Sequence, residues 1–189
     1  MTRGRWELVA AIATGAIHLF ISEVLKGMAW FIVGALVCWS VYIARRWKAD
    51  AAAWGFRGGG WLGPIVLLVA GAAGMAAIGT PRFDSGLILL LAIYPFWALF
   101  EQFLLQAMMV RNMPGSAGFV TPVAASLFCL DHWPDYPLMG ATFFLALVLT
   151  PFYLRWRRIV PLALAHGWLG KLFFCWVLGR DPLHEIFKL

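Results

Sequence analysis

Charge is the scarcest property of this sequence: Asp, Glu, Lys and Arg together make up 13% of its 189 residues, whereas 62% are hydrophobic. Soluble domains carry roughly 25% charged and 45–50% apolar residues, so a sizeable water-soluble domain is excluded. Cysteine is scarce too. Cys38, Cys129 and Cys175 lie inside apolar runs with no C-x-x-C spacing, which argues against a disulfide framework or a thiolate metal site and reads as three small buried hydrophobes. Internal repeats and polar low-complexity tracts are missing, so neither a solenoid nor a long disordered tail is indicated. Acidic residues are the rarer sign, 9 against 15 Lys and Arg, for a net charge of +6. The basic residues punctuate the apolar runs, a pattern that sets membrane orientation and gives no reason to invoke nucleic acid.

Seven apolar segments occupy most of the chain: Trp6 to Leu25, Met28 to Ile43, Trp61 to Ile78, Leu87 to Met109, Phe119 to Leu130, Pro137 to Leu154 and Ile159 to Leu178. A bilayer crossing needs about 20 apolar residues, and lipid cannot satisfy unpaired backbone groups. The expectation is an all-α polytopic transmembrane bundle of about seven spans, with the short fifth segment extended by its flanks and buried among other helices. Arg3 and Arg5 imitate a signal peptide, but the run behind them lasts a full span and is read as an uncleaved helix. Alternate loops place Arg3, Arg5, Arg45, Arg46, Lys48, Arg57, Arg111, Arg155, Arg157 and Arg158 on one side and Lys26, Arg82, Arg180 and Lys188 on the other. That asymmetry puts the N-terminus in the cytoplasm and the C-terminus outside. The expected organisation is residues 1–78 as N-terminal helices with a basic, then glycine-rich connection from Arg45 to Gly60, residues 87–178 as a functional core, and 179–189 as a short tail. The expected location is the plasma membrane of a prokaryote.

Ionisable residues inside spans are costly and mark function by default. Glu7 follows Arg3 by four residues, and Glu23 precedes Lys26 by three, so both read as paired near helix ends. His18 sits mid-span and reads as an interhelical hydrogen-bonding group; Lys171 needs a counter-ion, for which Asp131 is the candidate. Glu101, His132 and His166 differ, because a rise of about 1.5 Å per residue puts them roughly 15, 20 and 12 Å from Arg111, Phe119 and Arg158. One carboxylate and two imidazoles from three helices then share a layer of the bilayer. The competing reading is that each bonds only to its nearest helix neighbour.

At these residues the sequence resembles the CPBP intramembrane endopeptidases, which include the type II CAAX prenyl endopeptidases and the Abi bacteriocin-immunity proteins. The family's motifs are Glu-Glu-x-x-x-Arg, Phe-x-x-x-His and His-x-x-x-Asn, or a similar polar residue in place of the Asn, on successive helices. They correspond here to Glu101-Gln102-Phe103-Leu104-Leu105-Gln106, to Phe128-Cys129-Leu130-Asp131-His132, and to His166-Gly167-Trp168-Leu169-Gly170. The resemblance covers Leu87 to Leu178, and Trp54-Gly55-Phe56-Arg57 is similar to a family connection. It departs at Gln102, Gln106 and Gly170. The first two changes remove a Glu and an Arg one α-helical turn apart, so no orphan charge is left behind. Gly170 lacks the family's polar side chain, and with Gly167 it reads as a small surface for close helix packing.

The resemblance implies an intramembrane endopeptidase of glutamic type that cleaves a membrane-anchored or lipid-modified, CAAX-like peptide without a cofactor. Glu101 would be the general base, His132 would orient the water, His166 would donate to the oxyanion, and Gln102 and Gln106 would support them. A zinc ion held by Glu101, His132 and His166 is the competing chemistry, since one Glu and two His also match some catalytic zinc sites, although H-E-x-x-H is missing. Two other functions compete: a catalytically silent scaffold or immunity protein in the membrane, and a transporter, for which no second polar cluster or inverted repeat speaks.

Overall fold

A computed structural model describes residues 2–21, 28–57 and 60–180, with only the backbone at 28 and 29. Among the described residues there are seven α-helices and no strand. They are α1 (Arg3–Phe20), α2 (Met28–Trp54), α3 (Leu62–Ile78), α4 (Ser85–Gln102), α5 (Ala117–Leu130), α6 (Tyr136–Trp156) and α7 (Val160–Leu172). α4 continues through a π-helical segment, Phe103–Met109, and a 3-10 turn, Val110–Asn112; α7 continues through a second π-helical segment, Phe173–Val177. Ser85–Asn112, Tyr136–Trp156 and Val160–Val177 are long and apolar enough to cross a membrane, and Leu62–Ile78 and Ala117–Leu130 are shorter apolar helices.

Two expectations change. The connection drawn from Arg45 is helical as far as Trp54, because Ala-rich sequence carries no breaker before Gly55. The cysteines are not alike: Cys175 is buried, Cys129 half-buried and Cys38 exposed. Glu23, Lys26, Gly58, Gly59 and the tail from 181 lie outside the described residues.

The chain divides into two compact units, 1–58 with 102–159, and 59–101 with 160–189. In the first, the core is aromatic. Trp54 is fully buried, its ring edge-on to Phe103 at 5.4 Å, and Trp39 and Phe56 close around the same Phe103 ring. Offset and edge-on aromatic pairs each contribute about 0.5–1.5 kcal/mol beyond area burial. Gly55 ends α2 at φ 96°, and a Cβ there would lie 2.6 Å from the Arg157 carbonyl oxygen. Only glycine tolerates both the angle and the approach, and the Gly55 carbonyl then accepts from Ile159 N–H at 3.0 Å. Asp135 caps α6 by accepting from Leu138 N–H at 3.2 Å, with Pro137 in the first turn, where a missing N–H costs nothing.

In the second unit Leu87, Leu172, Cys175 and Trp176 form the buried core, with Ala72, Met75 and Leu91 packed against it. Asp84 caps α4 through Leu87 N–H at 2.7 Å. Pro95 lies inside α4 and has no N–H to give the carbonyl four residues earlier, that of Leu91. In an apolar medium that orphan would be expensive. The indole N–H of Trp168 on α7 takes the missing place, donating to the Leu91 carbonyl at 2.8 Å. At the same notch Gly167 lets α7 approach: a Cβ there would stand 3.0 Å from Pro95 Cα and 3.2 Å from Ala98 Cβ. Proline in α4 and Gly-Trp in α7 are therefore one joint.

Candidate functional site

That joint fixes two of the expected site residues. Glu101 lies six positions after Pro95 on α4 and His166 one position before Gly167 on α7, so the packing of these helices determines how far apart they stand. His166 Nε2 is 3.8 Å from Glu101 Oε2, with side chains 3% and 11% exposed. This is ion-pair distance when the imidazole is protonated, and a span that a bridging oxygen could fill. Beside them the Tyr94 ring meets His166 edge-on, at 6.4 Å between centroids, and the Lys171 ammonium stands 3.6 Å from the Tyr94 ring centre. Lys171 thus has an aromatic face beneath it, a favourable partner for a desolvated cation. Its expected counter-ion, Asp131, instead pairs with His18 Nδ1 at 3.2 Å, which gives His18 the interhelical partner expected of it.

Gly170 does not have the packing role that its sequence suggests. A Cβ at this position would meet His166 Cδ2 and Tyr94 Cε1 at 3.9 Å each, ordinary van der Waals contact. Close packing belongs to Gly167, and Gly170 merely borders the His166 and Tyr94 rings. Tyr94 itself has no signature in the motifs. The motifs relate residues one turn apart on the same helix, whereas Tyr94 reaches His166 from α4.

The remaining site residues lie in the other unit. His132 follows the end of α5 in a turn, its Nδ1 hydrogen-bonded to the Phe128 carbonyl at 2.9 Å and its ring edge-on to Phe128 at 5.0 Å. Both ends of the Phe-x-x-x-His motif therefore touch: the phenylalanine orients the imidazole by backbone and ring together. With Nδ1 engaged by a carbonyl it carries the proton, which leaves Nε2 to accept. Gln102 and Gln106 are fully buried. Gln106 donates from Nε2 to Thr150 Oγ1 on α6 at 3.2 Å. The one-turn α-helical relation expected between them is altered, because the π-helical segment begins at Phe103 and shifts the register of the residues after it.

Glu7 is also more than an end-of-helix pair. It is buried, and besides Arg3 at 3.5 Å it accepts from the Tyr42 hydroxyl at 2.5 Å, Arg111 Nη2 at 2.5 Å and Asn112 Nδ2 at 2.9 Å. Arg3 also bonds Asp50 at 3.1 Å, and Arg46 bonds Asp50 at 2.8 Å. Desolvation pushes the Asp50 carboxyl up, but hydrogen bonds and charge from Arg46 and Arg3 outweigh it and hold the group below its ordinary value. Among the described residues no three His, Cys, Asp or Glu side chains are grouped to hold a metal ion.

Residues 83–170 match the family model described as Type II CAAX prenyl endopeptidase Rce1-like. This stretch, a little under half of the chain, is similar to the CPBP/CAAX protease family, and it contains every one of the three motifs. No curated protein and no solved structure matches. Helices apolar enough to span a bilayer and a membrane-protease family together make the chain an integral membrane protein.

Proposed function

We propose that this chain, whose residues 83–170 match the CAAX-endopeptidase family model, is an intramembrane endopeptidase that cleaves a membrane-anchored or lipid-modified peptide. The observation that carries the reading is the 3.8 Å approach of Glu101 to His166, two motif residues far apart in a matched family segment. Glu101 acts as general base on water, His132 orients that water, and His166 donates to the oxyanion; Gln102 and Gln106 hold their surroundings without adding charge. The donor absent at Gly170 is assigned to Tyr94, whose ring borders both Gly170 and His166. Glutamic chemistry is preferred over zinc on the family resemblance. The proposed topology is seven spans with a cytoplasmic N-terminus, in the plasma membrane of a prokaryote.

A cleavage assay on purified protein with prenylated and lipidated peptides tests this. Glu101→Gln keeps shape and hydrogen bonding but cannot take a proton, so turnover should vanish while thermal stability holds. Tyr94→Phe should lower kcat by about 100-fold, the smaller end of losing one oxyanion donor, with little change in KM. Near-normal turnover by Glu101→Gln sinks the mechanism; chelator inactivation reversed by zinc decides for the metal. The second reading, a silent membrane scaffold, rests on the buried amides at 102 and 106 and predicts no turnover in any variant.

A further inference from the structure

Within the first unit, the start of α1 and the end of the α4 extension enclose an open groove of about 610 Å³, lined by Thr2, Gly4, Arg5, Leu8, Arg111 and Pro114 among others. Its two guanidinium groups are not equivalent. Arg111 is spoken for, bonded to buried Glu7 and to the Ala107 carbonyl at 3.0 Å. Arg5 is exposed, and its guanidinium has no hydrogen bond or ion pair to any described residue. Glu7 and Asp50 are the acidic groups nearby, and both are already engaged by Arg3, Arg46 and Arg111. The local balance is four arginines against two carboxylates, and the surplus faces the groove.

The position matters as much as the charge. Ser85–Asn112 is long and apolar enough to cross the bilayer, so Arg111 and Asn112 stand at one end of a span, where headgroups lie. Trp6, 60% exposed on the adjoining turn of α1, is the residue type that settles at this level. The groove's other flank is apolar: Leu8 and Val9 line it, on a helix that packs along the π-helical segment leading back from Arg111 into that span. A basic mouth with an apolar wall leading inward complements a phosphate joined to acyl chains.

We propose that this groove binds an anionic phospholipid, with the phosphate on Arg5 and the exposed edge of Arg111 and one acyl chain along Leu8 and Val9. Anionic headgroups are drawn to basic pockets at helix ends, and a chain that shares the pocket's apolar wall adds what a free phosphate lacks. The site needs no proteolysis and goes beyond the proposed enzymatic function.

The test uses the full chain in detergent, with lipid binding counted by native mass spectrometry during titration with phosphatidylglycerol or phosphatidylcholine. Phosphatidylglycerol should bind more tightly. Arg5→Gln should weaken it about fivefold, the effect of one basic side chain near an anionic surface, and higher salt should erode the preference. Arg155→Gln, an exposed arginine elsewhere in the same unit, should change nothing, and an unaltered melting temperature for Arg5→Gln confirms that the fold is intact. Equal binding of the two lipids, or an Arg5→Gln variant that keeps the preference, overturns the proposal. So does displacement by glycerol phosphate at the same concentration as the lipid, which would place all affinity in a phosphate pocket. Displacement by a peptide with a free C-terminal carboxylate, and not by its amide, would overturn it too and assign the groove to a peptide end. No arm measures cleavage, so a negative result here leaves the protease reading untouched.

Discussion

Gly167→Ala and Gly170→Ala form a matched pair on one helix. Both variants exchange glycine for alanine in α7, so both gain the same helix propensity, about 0.8–1 kcal/mol. Their surroundings differ. At 170 the new methyl meets His166 and Tyr94 at 3.9 Å, whereas at 167 it meets Pro95 Cα at 3.0 Å, Pro95 N at 3.2 Å and Ala98 Cβ at 3.2 Å. Carbon atoms rest at about 3.5–4.0 Å, so α4 must retreat by roughly half an ångström or more. Two of the three opposing atoms are backbone, which cannot rotate away. Overpacking of this kind costs about 1–3 kcal/mol. Gly170→Ala should then be neutral to stabilising by about 1 kcal/mol, and Gly167→Ala should fall below it by about 1–3 kcal/mol. Thermal unfolding of both variants in one detergent reads the difference, with propensity cancelled. Because α4 carries Glu101 and α7 carries His166, Gly167→Ala should also lose activity while Gly170→Ala keeps it. Equal melting temperatures for the two variants would refute the close approach at Pro95.

Single contacts set the other expected outcomes. Trp168→Phe keeps the ring but removes the donor to the Leu91 carbonyl, and should destabilise by about 1–3 kcal/mol, the cost of an unsatisfied buried polar group; denaturation with Pro95→Ala added should recover much of it, since an N–H returns to that carbonyl. Asp50 has its carboxyl held down by Arg46 and Arg3, so its stabilising effect is present above the ordinary carboxylate value and is lost as pH falls through the lowered one. Asp50→Asn should therefore melt below the parent at neutral pH and together with it in strong acid, as a melting series against pH would show; a gap that persists in acid rules out the charge. Reporters test the topology: a fusion after Leu189 should be active only outside the cytoplasm and an insertion at Gly59 only inside, and the reverse pair would overturn the seven-span count.

Helicity is legible in the sequence because it depends on local pattern, apolar runs of span length; helical rise also puts Glu101 and His166 in one layer, but their 3.8 Å approach is set by the packing of α4 on α7. The hydrogen bond between Trp168 and Leu91 is not legible, because a carbonyl orphaned by Pro95 has no sequence signature for the donor that rescues it 77 positions away. Glu7 exceeds its local pattern for a related reason. Its i, i+4 partner Arg3 is visible in sequence and is present, but Tyr42, Arg111 and Asn112 arrive from 35 to 105 residues away. Tertiary contacts convert a helix-end carboxylate into the centre of a buried network. The overrun of α2 to Trp54 shows the opposite failure: charge ends an apolar span, but it does not end a helix, and the stop comes only where Gly55 turns to φ 96°.

The paired change at 102 and 106 acquires a physical sense from burial. Both glutamines are fully buried, so a Glu and an Arg in their places would each need desolvation and a partner, and losing either alone would cost about 3–5 kcal/mol. The π-helical segment that opens at Phe103 turns Gln106 toward Thr150, a neutral hydroxyl that an amide satisfies and that could not neutralise a guanidinium. An arginine retained at 106 would thus have lost its carboxylate at 102 and gained only a hydroxyl on α6 in exchange. Changing both residues leaves Glu101 as the single carboxylate of its motif. For the general base proposed at Glu101, the neutral amide at 102 removes the like-charge repulsion that a second carboxylate would add.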